Sequence, residues 1–248
     1  MTTWIVLPGM AETAAEFDRV RELLPELDLH VIDPWQTPVN ADPAVLRTAA
    51  GVPSGEAIGL IGHSIGGLAA MRWALTRPQE VARLVLVDTT LPSESGRSWL
   101  YPGTSAERVV RVVLGFPGRI GLPWLVGPLV RRSMVRVGSV TKNDPLPKAT
   151  IRKLYGDSRS WQRFWAELTA SWIAAKDVSK LLPASGVPTV LLVATGGSSS
   201  VGADTWLAGQ RELATALSGT VVVLEDSAHL VHLDRPDAIA EAVRTLRP

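Results

Sequence analysis

The sequence predicts an α/β protein, a doubly wound and mainly parallel sheet carrying an inserted helical module. Three observations lead there. Six short runs are almost wholly apolar rather than alternating, as strands covered on both faces must be. Amphipathic helical stretches follow most of them. Residues 92–180 lack strand signals and differ in composition from both flanks.

In chain order the strand runs are 4–7, 29–32, 57–61, 84–87, 189–193 and 220–224. Helical periodicity covers 14–24, 65–76, 206–217 and 236–246. Between the fourth and fifth strands, Pro117, Pro123, Pro128, Pro145 and Pro147 are expected to break the chain into short pieces. From Ser158 onward, Trp161, Phe164, Trp165, Leu168 and Trp172 share one helical face. There is no internal repeat, and Gly196-Gly197-Ser198-Ser199-Ser200 is the one run that reads as a flexible linker.

The module is marked by charge as well. Residues 92–180 hold 15 of the 25 Lys and Arg but 6 of the 24 Asp and Glu, a balance of +9 within an overall +1. All five lysines and five of the nine tryptophans fall there. The expected division is therefore a core of residues 1–91 and 181–248 with a helical insertion at 92–180. With 248 residues and 46% hydrophobic content the chain can build one sizeable core. The near-neutral charge argues against a dedicated nucleic-acid binder. No apolar run approaches the length of a membrane span. The N-terminus lacks a signal-peptide pattern, so the expected location is cytoplasmic. Without cysteine there is no disulfide framework, thiolate nucleophile or Cys-ligated metal.

The most informative residues are Gly62-His63-Ser64-Ile65-Gly66, a G-x-S-x-G pentapeptide between a strand run and a helical one. Such a serine sits on a strained strand-to-helix turn, where glycines two residues away remove colliding Cβ atoms. The turn lifts its hydroxyl clear of the sheet at a helix N-terminus, whose dipole favours developing negative charge. A serine needs an adjacent base. His30 lies in a strand run and His63 points away from Ser64 within the pentapeptide. His229 follows the last strand at the sheet edge that also carries Ser64, and is the expected base. His232 reads as a structural histidine or a group supporting the site from behind.

These features resemble the α/β-hydrolase superfamily over nearly the whole chain. The pentapeptide resembles that family's nucleophile elbow, and Ala228-His229-Leu230-Val231-His232-Leu233-Asp234-Arg235-Pro236 resembles its histidine loop. Leu7-Pro8-Gly9-Met10 looks like its oxyanion loop, with proline where a histidine often stands. The resemblance implies an oxyanion hole from the N–H groups of Met10 and Ile65. It implies that 92–180 is a cap, with the tryptophan stripe, Trp161 and Trp165 above all, walling an apolar substrate pocket. It also implies a sheet reduced at its N-terminal end, because the family's early antiparallel strands are missing.

The histidine's carboxylate partner departs from the family pattern. The usual position follows the fifth strand run, where this chain reads Ala194-Thr195-Gly196-Gly197 and reaches an acid only at Asp204. Some relatives place the acid at the end of the strand after the nucleophile helix, and there this chain has Asp88. Asp88, Asp204 and a dyad without an acid all stay open. The implied activity is a serine hydrolase of a hydrophobic ester, thioester or lactone, needing no metal or cofactor. Relatives that hydrolyse epoxides or haloalkanes use an aspartate nucleophile instead. The basic cap admits an acidic carrier, CoA or acyl carrier protein, as partner. Acyl transfer, lyase or C–C hydrolase chemistry and a non-catalytic ligand-binding role are the alternatives.

Overall fold

Strands β1 (Thr3–Leu7), β2 (Asp28–Val31), β3 (Ile58–His63), β4 (Val81–Val87), β5 (Thr189–Ala194) and β6 (Thr220–Leu224) form one parallel sheet in a computed structural model of the chain. Residues 3–116, 121–184, 186–197 and 202–246 are described. The order is β2-β1-β3-β4-β5-β6. Successive residues of the inner strands feed opposite layers. Ile5, Leu7, Leu84 and Leu86 join one buried cluster, while Trp4, Val6, Val85 and Val87 join the other. Both faces are therefore apolar, which is why these strands read as unbroken hydrophobic runs. Each fully buried aliphatic side chain contributes about 1.5–3 kcal/mol.

Helices α2 (Pro43–Ala50), α3 (Ile65–Thr76) and α8 (Ala203–Leu217) cover the first face. Helices α1 (Asp18–Leu23) and α10 (Pro236–Thr245) cover the second. Residues 14–24 are not one helix: a 3₁₀ turn, Ala14–Phe17, precedes α1. Between β4 and β5 lie α4 (Ser105–Gly115), α5 (Leu122–Gly138), α6 (Lys148–Tyr155) and α7 (Ser158–Leu181). A four-residue α9 (Val231–Asp234) follows the histidine loop. Among the described residues no helix is long and apolar enough to cross a membrane.

The prolines between β4 and β5 act differently from expectation. Pro123 and Pro128 lie within a single helix, α5. Pro123 sits in the first turn, where its missing N–H has no ladder partner to lose, and Pro128 removes one ladder bond. Pro145 and Pro147 do precede α6, Pro147 as its N-cap. Pro117 lies outside the described residues, as do Ser198, Ser199 and Ser200 of the glycine-serine run.

The chain passes from β1 outward to β2, then crosses back over β1 to β3, so the strand order reverses between β1 and β3. Ligand crevices of open α/β sheets form at the carboxyl ends of the strands beside such a reversal. The segments leaving β1 and β3 there are Pro8-Gly9-Met10 and Ser64.

Candidate active site

Ser64 joins β3 to α3 at φ 52° and ψ −122°, a conformation costly for a residue with a Cβ. Four hydrogen bonds and two glycines over-determine it. The Ser64 N–H donates to the Val87 carbonyl, while its own carbonyl accepts from Gly67 N–H, Thr90 N–H and the Thr89 hydroxyl. A Cβ on Gly62 would come within 2.6 Å of the Gly66 carbonyl oxygen, and one on Gly66 within 2.1 Å of the Leu7 carbonyl oxygen. The motif is thus satisfied for a steric reason.

The base and acid meet this serine from two other loops. His229 Nε2 lies 3.1 Å from Ser64 Oγ, and His229 Nδ1 lies 2.7 Å from Asp88 Oδ2. A carboxylate only accepts, so Nδ1 carries the proton and Nε2 is left to accept the Ser64 hydroxyl. Asp88 follows β4, is buried and adopts a positive φ of 40°. Its second oxygen accepts from the Ala194 N–H at 3.0 Å and the Trp206 indole at 2.9 Å. Asp204 stands apart, exposed in the first turn of α8. Of the two acids left open by the sequence, Asp88 is the one in contact with His229.

Behind this row sits a buried pair. Glu12 Oε1 lies 2.6 Å from His63 Nδ1, and neither side chain reaches solvent appreciably. His63 Nε2 donates to the His229 carbonyl at 2.7 Å, and Gly9 N–H donates to Glu12 Oε2 at 2.6 Å. Burial would raise the Glu12 carboxyl, but the charges of His63 and His232 and hydrogen bonds from His63 and Gly9 prevail, holding it well below the usual carboxylate range. Burial would likewise lower His63, yet the Glu12 charge and hydrogen bond, with the His229 carbonyl, raise it. His232 stacks on Phe17 at 4.4 Å and meets the His63 ring edge-on at 4.9 Å. Glu12, His63 and His232 bring possible metal-ligand atoms within 4.8 Å of one another. The 2.6 Å contact is nevertheless that of a close charge pair, and it uses the groups an ion would need.

The Leu7 and Pro8 carbonyls lie against Gly66, so Pro8-Gly9-Met10 flanks the start of α3. Ile65 opens that helix, and its N–H is one of four with no ladder partner. A cavity of about 420 Å³ opens over Ser64 and His229, walled by Met134 and Val137 of α5 with Leu230, Thr90 and Glu94. Trp161 and Trp165 do not line it. The Trp161 indole donates to the Tyr155 carbonyl, and Trp165 packs edge-on against Trp172 at 5.9 Å. The stripe on α7 is half-buried packing, and the helix turns mostly small residues such as Ser171, Ala174 and Ala175 inward. Sequence reasoning missed Glu12, and it read Trp206 as part of a helix without linking it to Asp88. Neither has a local signal, since each acts on a partner from a distant element.

The family profile described as "Alpha/beta hydrolase family" matches residues 5–242. Lipase LipV of Mycobacterium tuberculosis is 26% identical over 258 residues, covering 97% of this chain and 91% of that protein. A thermophilic esterase from Thermogutta terrifontis superposes with a TM-score of 0.63 at 19% identity, covering 99% of this chain and 89% of the other. The enol-lactonase from Burkholderia xenovorans does so with 0.62 at 17% identity, covering 99% and 90%. A loop variant of haloalkane dehalogenase DbeA from Bradyrhizobium elkanii gives 0.65 at 18%, covering 98% and 88%, so fold likeness at this level spans more than one chemistry. With its profile match extending over nearly the whole chain, the protein belongs to the α/β-hydrolase family.

Proposed function

We propose that the protein is a serine hydrolase of carboxylic esters, thioesters or lactones of hydrophobic small molecules, working through an acyl-enzyme on Ser64. The observation that carries this reading is the unbroken row from Ser64 Oγ to His229 at 3.1 Å and from His229 to Asp88 at 2.7 Å. Ser64 Oγ attacks the substrate carbonyl as His229 Nε2 takes its proton. The N–H groups of Met10 and Ile65 receive the oxyanion, and Asp88 stabilises the imidazolium without taking its proton. His229 returns the proton to the leaving oxygen or sulfur as the C–O or C–S bond breaks. It then takes a proton from water, which attacks the acyl-enzyme and frees the acid and Ser64. Residues 92–180 serve as the cap, with Met134 and Val137 of α5 offering the acyl chain an apolar wall. A curated lipase as relative and an esterase and a lactonase as fold neighbours agree with carboxylic-ester chemistry.

Intact-mass analysis after exposure to a fluorophosphonate tests the nucleophile. One adduct is expected, lost in Ser64→Ala; an unlabelled wild type would favour the ligand-binding alternative. On p-nitrophenyl esters, Asp88→Asn is expected to lower kcat by about 10⁴-fold. Two donors hold the Oδ1 side, so the new amide would face Nδ1 and force the wrong tautomer on His229. Asp204→Asn is expected to change little. The reverse ranking would move the acid to Asp204.

A further inference from the structure

We propose that a cavity between α5 and α6 is a second ligand site, for an anionic amphiphile carrying a phosphate-type head on an apolar chain. Its volume is about 870 Å³, roughly twice that of the space over Ser64. Pockets of this size accommodate whole small-molecule ligands. The floor is aliphatic: Val135 and Leu146 are buried there and Ile151 is half-buried, while Leu129 adds an exposed apolar side chain to the lining.

Arg132, Arg136, Lys142, Lys148 and Arg152 stand around that floor. The sole acid among the lining residues, Asp144, is already spent: both its oxygens accept from Arg131 at 2.8 Å. Arg152 lies over the Trp124 ring at 5.1 Å, and the other four cations have no ion pair among the described residues. Five exposed basic residues border one concavity whose single acid is already paired, and a concave surface of one sign concentrates opposite ions at its mouth. Their number suits a multiply charged head better than a single carboxylate. Nucleic acid would ask for an extended track with aromatic platforms, whereas this site is a pocket with an aliphatic floor.

The site is separate from the catalytic one. Met134, Val137 and Gly138 face Ser64's cavity, while Arg132, Val135 and Arg136 of the same turns face this one. Asp88 and Glu94 line the Ser64 side, so an anion is favoured at the α6 side. The inference does not depend on the chemistry proposed for Ser64. The ligand could come from a lipid headgroup or from a soluble acyl phosphate, and the two sources share this recognition chemistry.

Calorimetric titration with dodecyl phosphate, below its micelle concentration, tests the site. Inorganic phosphate, dodecanol and phosphatidic-acid vesicles are the comparison arms. Dodecyl phosphate is expected to bind at least tenfold more tightly than either fragment, with affinity falling steeply as salt rises. The double variant Arg136→Gln/Lys148→Gln should weaken it at least tenfold while leaving p-nitrophenyl ester hydrolysis unchanged. Ile151→Ser should weaken the alkyl phosphate but not inorganic phosphate. Variant-sensitive binding of vesicles alone would assign the site to a lipid headgroup, and variant-sensitive binding of the monomer alone to a soluble ligand. No binding in any arm, or binding indifferent to the double variant, would overturn the proposal.

Discussion

At the scale of single residues, Glu12 and His63 join two loops that chemistry at Ser64 would need held still. One carboxylate fixes the Gly9 N–H beside Met10 and, through His63, the backbone carbonyl of His229. Breaking a buried pair by removing one partner leaves the other uncompensated, at a cost of about 3–5 kcal/mol. Glu12→Gln should lose that much stability at pH 6 in urea denaturation. The two shifts run in opposite directions. Glu12 is depressed, so its contribution is present above the ordinary 4.5 and fades as pH falls toward its folded value. His63 is raised, so its contribution is full below the ordinary 6.5 and fades as pH rises through its folded value. The gap between wild type and Glu12→Gln should therefore be widest between these values and narrower at pH 4. A gap of equal size at pH 4 and pH 6 would remove charge pairing from the account.

Among the secondary-structure elements, what a sequence can announce depends on whether a residue answers to its neighbours in the chain or to distant ones. The four inner strands were legible because burial on both faces forces continuous apolar runs, the partly exposed edge strands β2 and β6 because they are short and apolar all the same, and α3 because strand, G-x-S-x-G and helix are contiguous. The prolines of α5 misled, since a first-turn proline costs nothing and Pro128 costs one bond that the rest of the helix carries. Two acids stayed open beside His229 because the choice depends on which loop folds over β4, and no local pattern encodes that. Glu167 on α7 is a similar case. Its carboxyl is raised to about 7, chiefly by burial and further by the charge of Glu12, against the Ala11 backbone and Arg163. A carboxyl raised on folding holds its proton more tightly in the native state, so stability falls as pH climbs from 4.5 to 7. Glu167→Gln should match wild type near pH 4.5 and exceed it by about 1–3 kcal/mol at pH 8. Chemical denaturation at the two pH values measures this, and a variant no more stable at pH 8 would show that the carboxyl is already well solvated.

For the molecule as a whole, region 92–180 meets the sheet in two ways: α7 packs Ala174, Ala175 and Val178 into the first apolar cluster, and Arg131 supplies a separate, charged tie. It is 1% exposed, yet its guanidinium donates to Glu16 of the core at 2.7 Å, to both oxygens of Asp144, and to the Tyr155 hydroxyl at 3.1 Å. Tyr155 in turn donates to the Ala11 carbonyl of the core. Here α5 and α6 are tied to the segment that follows β1 by buried charge rather than by a greasy seam. Such a tie resists sliding, because separating the partners strands Glu16, which is also fully buried, without its cation. Arg131→Met should therefore cost about 3–5 kcal/mol, more than the lost packing alone would explain. The companion change Glu16→Gln removes the stranded charge, so the double variant should be less destabilised than the sum of the two singles by about 1.5 kcal/mol or more. Urea denaturation of wild type, both single variants and the double variant closes this cycle. Losses that simply add would mean that α5 and α6 are held to the segment after β1 by the surrounding apolar contacts, and that the buried charges are passengers.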